Sequence, residues 1–327
     1  MKDGFGREIN YLRMSVTDRC NLRCRYCMPE QGVQPIAHAD VLRYEEIERL
    51  VRVAARLGFW RVRVTGGEPL VRKGLAGFVA RLASVAGVAD VSLTTNGILL
   101  ADLAGELRRA GLRRVNVSLD TLREDRFAWI TRRPEFRRAW AGIMAALREG
   151  LVPVKVNVVL MAGFNDDEVE DFARLTREYP LWVRFIELMP LGNNGLHGES
   201  RYLPVASVWP RLQTLGPLEE IPSSAGDGGG PARYFTYRGA PGRLGLITPL
   251  SQHFCGDCNR LRLTSDGRLN PCLAGLGEVD VRGPLRTGAT DDDLASLIAL
   301  AVHQKPEEHH MAPGEVACDR QMSRLGG

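Results

Sequence analysis

Tyr11-Leu12-Arg13-Met14-Ser15-Val16-Thr17, followed closely by Cys20-Asn21-Leu22-Arg23-Cys24-Arg25-Tyr26-Cys27, joins a β-rich run to three clustered cysteines. Thiolates so close in sequence leave too short a loop for an easy mutual disulfide, but they can surround one soft metal centre. Zinc and iron–sulfur clusters both accept thiolate, and both usually want a fourth ligand. The next histidine is His38, so nothing nearby supplies one. A centre held by these three residues therefore keeps one position open for chemistry.

Strand, loop and helix then recur down the chain. Arg43 to Leu57 carries Ile47, Leu50, Val51, Ala54 and Leu57 at helical spacing, with Gly58 as its stop. Strand-like runs follow near 60–65, 90–95, 113–119, 152–160 and 181–188, with helical runs near 71–85, 99–110, 135–149, 166–178 and 204–215. Asn165, ahead of Asp166, Asp167 and Glu168, is the expected N-cap of the 166–178 helix. Six βα units of this length predict an α/β fold, a partial (β/α)6 TIM-like barrel two units short of closure. Function in such a fold lies on the loops after the strands, where the cysteine loop falls.

The strands carry a second signal. Arg61-Val62-Arg63-Val64-Thr65, Val115-Asn116-Val117-Ser118-Leu119-Asp120 and Val154-Lys155-Val156-Asn157-Val158 alternate strictly, valine on one face and polar residues on the other. A helix-covered parallel sheet is ordinarily apolar on both faces. One such strand would be read as a solvated barrel edge; three in a row are read as the wall of a lumen filled with ligand and water, with Arg61, Arg63 and Lys155 facing it. Lys155 is the sharpest case, because the chain has only Lys2, Lys73, Lys155 and Lys305 and a strand interior is a costly place for an ammonium.

Pro222 to Pro231 is rich in Ser, Gly and Pro and reads as a flexible loop. It divides a barrel over 1–221 from a smaller α+β module over 222–327. That module has short strands near 233–238, 243–248, 260–264 and 268–271 and a late helix near 291–304. Ser265-Asp266-Gly267 marks a hairpin. The net charge of +4 is too small to argue for nucleic acid but is compatible with an anionic small molecule. No run of 18 apolar residues occurs, and Met1 to Gly6 lacks the apolar core of a signal peptide, so the expectation is a cytoplasmic protein with no membrane partner. In a reducing compartment the seven cysteines, at 20/24/27, 255/258/272 and 318, are better read as ligands than as disulfides.

Thr65-Gly66-Gly67-Glu68-Pro69 follows the second strand. Alone it is a tight strand-to-helix turn; beside the cysteine loop it can let backbone approach a ligand, with Glu68 accepting from an amine. Cys-x3-Cys-x2-Cys after the first strand, Tyr26 before the last cysteine, and Gly-Gly-Glu-Pro after the second strand together resemble the radical S-adenosylmethionine superfamily. On spacing alone Cys255-x2-Cys258-x13-Cys272 leaves a zinc knuckle open, completed by Cys318 or a histidine. Its context, Phe254 to Thr264 with Pro271-Cys272-Leu273, is similar to the GTP 3′,8-cyclase family of molybdenum cofactor biosynthesis. So are Tyr11 to Cys20, Thr94 to Gly97, Asn116 to Asp120, Gly163 to Glu168, Arg184 to Pro190 and the terminal Gly326-Gly327.

The resemblance implies a lyase that converts GTP to (8S)-3′,8-cyclo-7,8-dihydroguanosine 5′-triphosphate. It also implies two [4Fe-4S] clusters and S-adenosyl-L-methionine as cofactors. Cys20, Cys24 and Cys27 would hold the first cluster and Cys255, Cys258 and Cys272 the second. Tyr26, Gly67, Ser118 and Met189 would touch S-adenosylmethionine, and Arg13, Arg63, Thr94, Lys155, Arg184, Arg260 and Arg262 would bind GTP. An electron donor and a downstream cyclic pyranopterin monophosphate synthase come with the same family, with a monomer or homodimer expected. The alternatives are another radical enzyme with an auxiliary cluster, acting on a peptide or nucleoside, and a zinc-stabilised nucleic-acid-binding protein. His309-His310 is read as solvated or helix-capping, Cys318 as a free thiol and Trp129, Trp140, Trp182 and Trp209 as core. Paired arginines such as Arg132-Arg133 are read as solvated helix ends.

Overall fold

A computed structural model describes residues 1–191, 201–222, 230–274 and 277–314. The repeating part runs β1 (Tyr11–Ser15), α1 (Tyr44–Arg56), β2 (Arg61–Thr65), α2 (Leu75–Ser84), β3 (Asp90–Thr95), α3 (Leu100–Arg109) and β4 (Arg114–Ser118). Two helices follow, α4 (Glu124–Thr131) and α5 (Phe136–Arg148), then β5 (Val154–Leu160), α6 (Val169–Glu178) and β6 (Leu181–Glu187). The remainder comprises α7 (Trp209–Gln213), β7 (Leu218–Ile221), β8 (Arg233–Tyr237), β9 (Arg243–Ile247), β10 (Arg260–Leu263), β11 (Arg268–Asn270), β12 (Val279–Asp280), α8 (Arg282–Arg286) and α9 (Asp291–His303).

Among the described residues all twelve strands belong to one sheet, in the order β12-β11-β10-β1-β2-β3-β4-β5-β6-β9-β8-β7. β1 to β6 are parallel neighbours, as six βα units require. β10 pairs parallel with β1, and β9 pairs parallel with β6. The parallel wall is thus longer than the six expected strands, with an antiparallel pair on each flank. β9 and β10 do not pair with each other, so the barrel stays open there. Residues 248–259, which connect them, cross the gap.

The valine faces do what alternation demands. Val62, Val64, Val115, Val117, Val154, Val156 and Val158 are buried against the helices, and α1 meets them with Ile47, Leu50, Val51 and Ala54. Burying such side chains contributes about 1.5–3 kcal/mol each and outweighs indifferent helix propensity. Three local readings are corrected. Asn165 holds the N-cap position of a 3-10 turn at Asp166–Glu168 that leads into α6, but its side chain makes no capping bond: its Nδ2 donates to the carbonyls of Asp120 (2.7 Å) and Val159 (2.9 Å). Trp129 is not core but 40% exposed, with the Arg25 guanidinium 4.5 Å from its ring centroid. α4 was not anticipated, because Phe127 and Ile130 give its eight residues too short an apolar stripe.

Gly142 of α5 sets how closely that helix approaches the turn after β3. A Cβ there would lie 2.1 Å from the Gly97 carbonyl oxygen. Gly142→Ala is expected to lower the unfolding free energy by about 2 kcal/mol through overpacking. Gly77→Ala in α2, where an added Cβ meets nothing within 4 Å, should be neutral or stabilising. Urea midpoints of the two variants check the contrast.

Candidate functional site

The carboxyl ends of the parallel strands open on a cavity of about 370 Å³ lined by both cysteine triplets. The four residues expected to touch S-adenosylmethionine (Tyr26, Gly67, Ser118, Met189) line it as well. So do all seven of the expected GTP set, Arg13, Arg63, Thr94, Lys155, Arg184, Arg260 and Arg262. Arg61 does not. It sits deeper, over the Trp60 ring at 3.9 Å, beside the buried pair Arg114–Asp90.

The first triplet is held from two sides. Its loop lies along the end of α4: Arg23 N–H donates to Thr131 O (3.0 Å), Arg25 N–H to Ile130 O (2.8 Å), and the Arg132 guanidinium to the Arg23 carbonyl (2.7 Å). On the other side the Gly66-Gly67-Glu68 turn packs against the chain entering the loop. Gly67 N–H donates to Thr17 O at 2.6 Å and Glu68 N–H to Arg19 O at 2.8 Å; a Cβ on Gly67 would lie 2.4 Å from Arg19 O. The glycines therefore serve first the approach of two backbone segments. Glu68 is likewise engaged, accepting from Leu70 N–H, Thr95 Oγ1 and Asn96 N–H at 2.7–3.0 Å. Burial raises its carboxyl to about 7 against these bonds. Burial also lifts the Cys20 thiol to about 11 and the Cys24 thiol well above its usual value.

Tyr26 is tied to an acid that the sequence reading passed over. Its hydroxyl donates to Asp120 Oδ2 at 2.7 Å, while Asp120 Oδ1 accepts from Val159 N–H at 2.9 Å. The middle of the cysteine loop is thereby fixed to β4 and β5. Burial raises the Asp120 carboxyl to about 6, with the two hydrogen bonds opposing it.

Cys255 and Cys258 sit in the segment that crosses the open side, and Cys272 follows β11. Cys255–Asp257 forms a 3-10 turn, with Cys258 N–H on Cys255 O at 3.1 Å, and Asn270 Oδ1 accepts from Cys272 N–H at 3.1 Å. Burial raises the Cys255 thiol as it does those of Cys20 and Cys24, but Cys258 differs. Burial works against the Cys258 thiolate, yet the Arg260 and Lys305 charges bring its pKa down to about 6. His309 corrects the expectation of a solvated residue: it is 6% exposed, whereas His310 is exposed. Among the described residues only His253, Cys255 and His309 bring three ligand atoms all within 4.8 Å of one another. The His309 ring is nonetheless committed to the protein: Nδ1 accepts from Met311 N–H at 3.3 Å, and the ring also bonds the Pro249 backbone.

Between the triplets lies a cationic wall. Arg262, Arg13 and Arg63 are register partners on β10, β1 and β2, all with side chains into the cavity. Burial first, and then the neighbouring guanidiniums, lower the pKa of Arg13 well below its usual value and that of Arg262 to about 10. Opposite them Lys155 Nζ donates to the Tyr234 hydroxyl at 3.1 Å and lies 4.6 Å from the Trp182 ring centroid. Arg184 also bonds Tyr234, and its Nε donates to Asn157 Oδ1 at 2.9 Å. Arg260 Nε, on the cavity wall, has no hydrogen-bond partner among the described residues. Tyr11 and Tyr234 were missed; both are aromatic strand residues that periodicity counts as core.

Profiles of two families match the chain: the radical SAM superfamily over residues 14–176 and Molybdenum Cofactor Synthesis C over residues 181–311. The chain is 55% identical to the GTP 3′,8-cyclase of Moorella thermoacetica and 54% to that of Heliobacterium modesticaldum, over 100% of each pair. Streptococcus suis SuiB bound to S-adenosylmethionine shares the fold, with a TM-score of 0.58 at 16% identity over 89% of this chain and 68% of that one. Fold and site define a radical S-adenosylmethionine enzyme. Within that superfamily the chain belongs to the GTP 3′,8-cyclase family.

That family implies two [4Fe-4S] clusters and S-adenosylmethionine, and the residues fit them. Each triplet is a soft thiolate donor set facing the cavity. The zinc-knuckle alternative gives way to the match with the GTP 3′,8-cyclase family over the whole chain. The Cys318 and Gly326-Gly327 readings lie outside the described residues.

Asp120 yields a pH prediction. A carboxyl raised from 3.8 to about 6 stabilises the fold below pH 3.8 and loses that contribution as pH rises through 6. Asp120→Asn removes the loss. Relative to the parent, the variant should gain about 1–3 kcal/mol between pH 4 and pH 7, read from urea midpoints of apo-protein.

Proposed function

We propose that the chain converts GTP to (8S)-3′,8-cyclo-7,8-dihydroguanosine 5′-triphosphate in the first step of molybdenum cofactor biosynthesis, with the roles divided as follows. The observation that carries the substrate is the in-register row Arg262–Arg13–Arg63. Like charges at adjacent buried positions repel and are costly to desolvate. A triphosphate repays that cost with several charge-assisted bonds, and a neutral peptide does not.

When bound, the clusters and S-adenosylmethionine supply one-electron chemistry: reductive cleavage of the sulfonium and abstraction of a hydrogen atom from the substrate ribose. The first cluster belongs with Cys20, Cys24 and Cys27, and the second with Cys255, Cys258 and Cys272. Tyr26, Gly67, Ser118 and Met189 line the same cavity as the first triplet and would seat S-adenosylmethionine. Arg13, Arg63, Arg260 and Arg262, with Thr94 beside Arg63 and with Lys155 and Arg184 across from them, would hold the phosphates and orient the nucleoside toward both triplets. Tyr234 braces Lys155 and Arg184, so these two charges are set before substrate arrives. In this reading residues 1–221 generate the radical, and residues 222–327 close the open side and present the second cluster. The segment over residues 248–259, which crosses the gap, keeps water from the reacting atoms.

The same reading carries a cytoplasmic location, an external one-electron donor, a cyclic pyranopterin monophosphate synthase acting on the product, and a monomer or homodimer. Among the described residues no helix is long and apolar enough to cross a membrane.

Anaerobically reconstituted protein with GTP, S-adenosylmethionine and a chemical reductant is expected to form 5′-deoxyadenosine only when GTP is present. Formation that is indifferent to GTP defeats the reading. Lys155→Ala should raise the apparent KM for GTP at least about tenfold, the loss of one charge-assisted bond of about 1.5–3 kcal/mol. Steady-state kinetics over a GTP series separates this from a change in kcat.

A further inference from the structure

One buried cation near the second triplet is not accounted for by substrate. Lys305 follows α9, its N–H bonded to Val302 O at 3.2 Å, and its side chain turns inward until the residue is 4% exposed. Nζ donates to the carbonyl oxygens of Pro271 at 2.7 Å and Arg260 at 3.0 Å. Pro271 immediately precedes Cys272, and Arg260 lies two residues after Cys258. The positive charge so placed acts on the sulfurs of Cys258 and Cys272. Arg7 locks the segment from outside: Nη1 donates to Cys255 O (2.9 Å) and Glu307 O (2.6 Å), and Nη2 to Pro306 O (2.6 Å). Asp3 Oδ2 holds Arg7 Nε at 2.6 Å.

A buried ammonium is costly unless an anion offsets it. Among the described residues no carboxylate lies within ion-pair distance of Lys305, and the anionic groups it faces are the sulfurs of Cys258 and Cys272. A fixed positive charge beside a ligand sulfur stabilises an added electron on the centre which that sulfur holds.

We propose that Lys305 is a positioning residue that sets the reduction potential of the second cluster, raising it through the charge that the Arg260 and Pro271 carbonyls fix beside Cys258 and Cys272. This rests on the reading of Cys255, Cys258 and Cys272 as cluster ligands. It is tested without GTP, in a Cys20→Ser/Cys24→Ser/Cys27→Ser background that leaves the second triplet alone. Lys305→Gln keeps a donor and removes the charge; Lys305→Arg keeps both. After anaerobic reconstitution, iron is counted and the cluster is titrated potentiometrically by electron paramagnetic resonance. At a fixed potential, Lys305→Gln should lower the reduced-to-oxidised ratio about tenfold, a midpoint about 59 mV more negative for one electron. Lys305→Arg should restore most of it. Equal midpoints in the background and Lys305→Gln overturn the proposal. Where Lys305→Gln blocks loading, iron uptake is the readout: restoration by Lys305→Arg supports the proposal, and failure to restore overturns it. A background protein that takes up no iron at all overturns the cluster reading instead, so the two failures are told apart.

Discussion

Three guanidiniums side by side on β10, β1 and β2 are the constraint to which the rest of the barrel answers. No folding argument favours them: each is buried, each repels the next, and replacing such charges by apolar residues often stabilises a protein. The surrounding architecture makes the row tolerable. Tyr11 lies beneath it, its hydroxyl accepting from Arg63; burial would push that phenol up, but the Arg63 and Arg13 charges hold it at about 8. Glycine at 245 leaves room for Arg184 on the opposite wall, where an added Cβ would lie 2.8 Å from the arginine Cγ. The helical layer outside then has to supply the stability that the lumen does not, and the continuous valine face of β2, β4 and β5 is where it does so.

The two cysteine triplets face this row from different environments. The first is enclosed by apolar and hydrogen-bonded loop structure, fixed by α4, by the glycine turn and by the Tyr26–Asp120 bond. The Cys20 and Cys24 thiols are pushed upward by burial. The second lies among cations and has at least one thiol held low. Metal binding displaces the protons in both cases, but the charge left around each centre differs. One chain thus gives two chemically similar ligand sets two electrostatic surroundings, as a division of redox labour requires.

Much of this was legible before any fold was seen. Cys20, Cys24 and Cys27 announce a metal centre through spacing alone, because ligand geometry is local. Strict alternation in β2, β4 and β5 announces a polar lumen, because side-chain direction in a strand has period two. It placed Arg63, Asn116, Ser118, Lys155 and Asn157 correctly on the cavity wall. It erred on Arg61, which shares the face of Arg63 but lies one layer deeper. Alternation gives a direction and says nothing of depth.

The sequence by itself therefore determined the class of fold, the two thiolate sites and the sign of charge in the lumen. Each is written in spacings of a few residues. Only the tertiary structure decided that β9 and β10 extend the parallel wall. It alone showed that His309 is buried beside Cys255, that Tyr234 braces Lys155 from 79 residues away, and that Lys305 reaches Cys258. These depend on which edges meet when the sheet curls. A pairing between distant strands leaves no period in either of them.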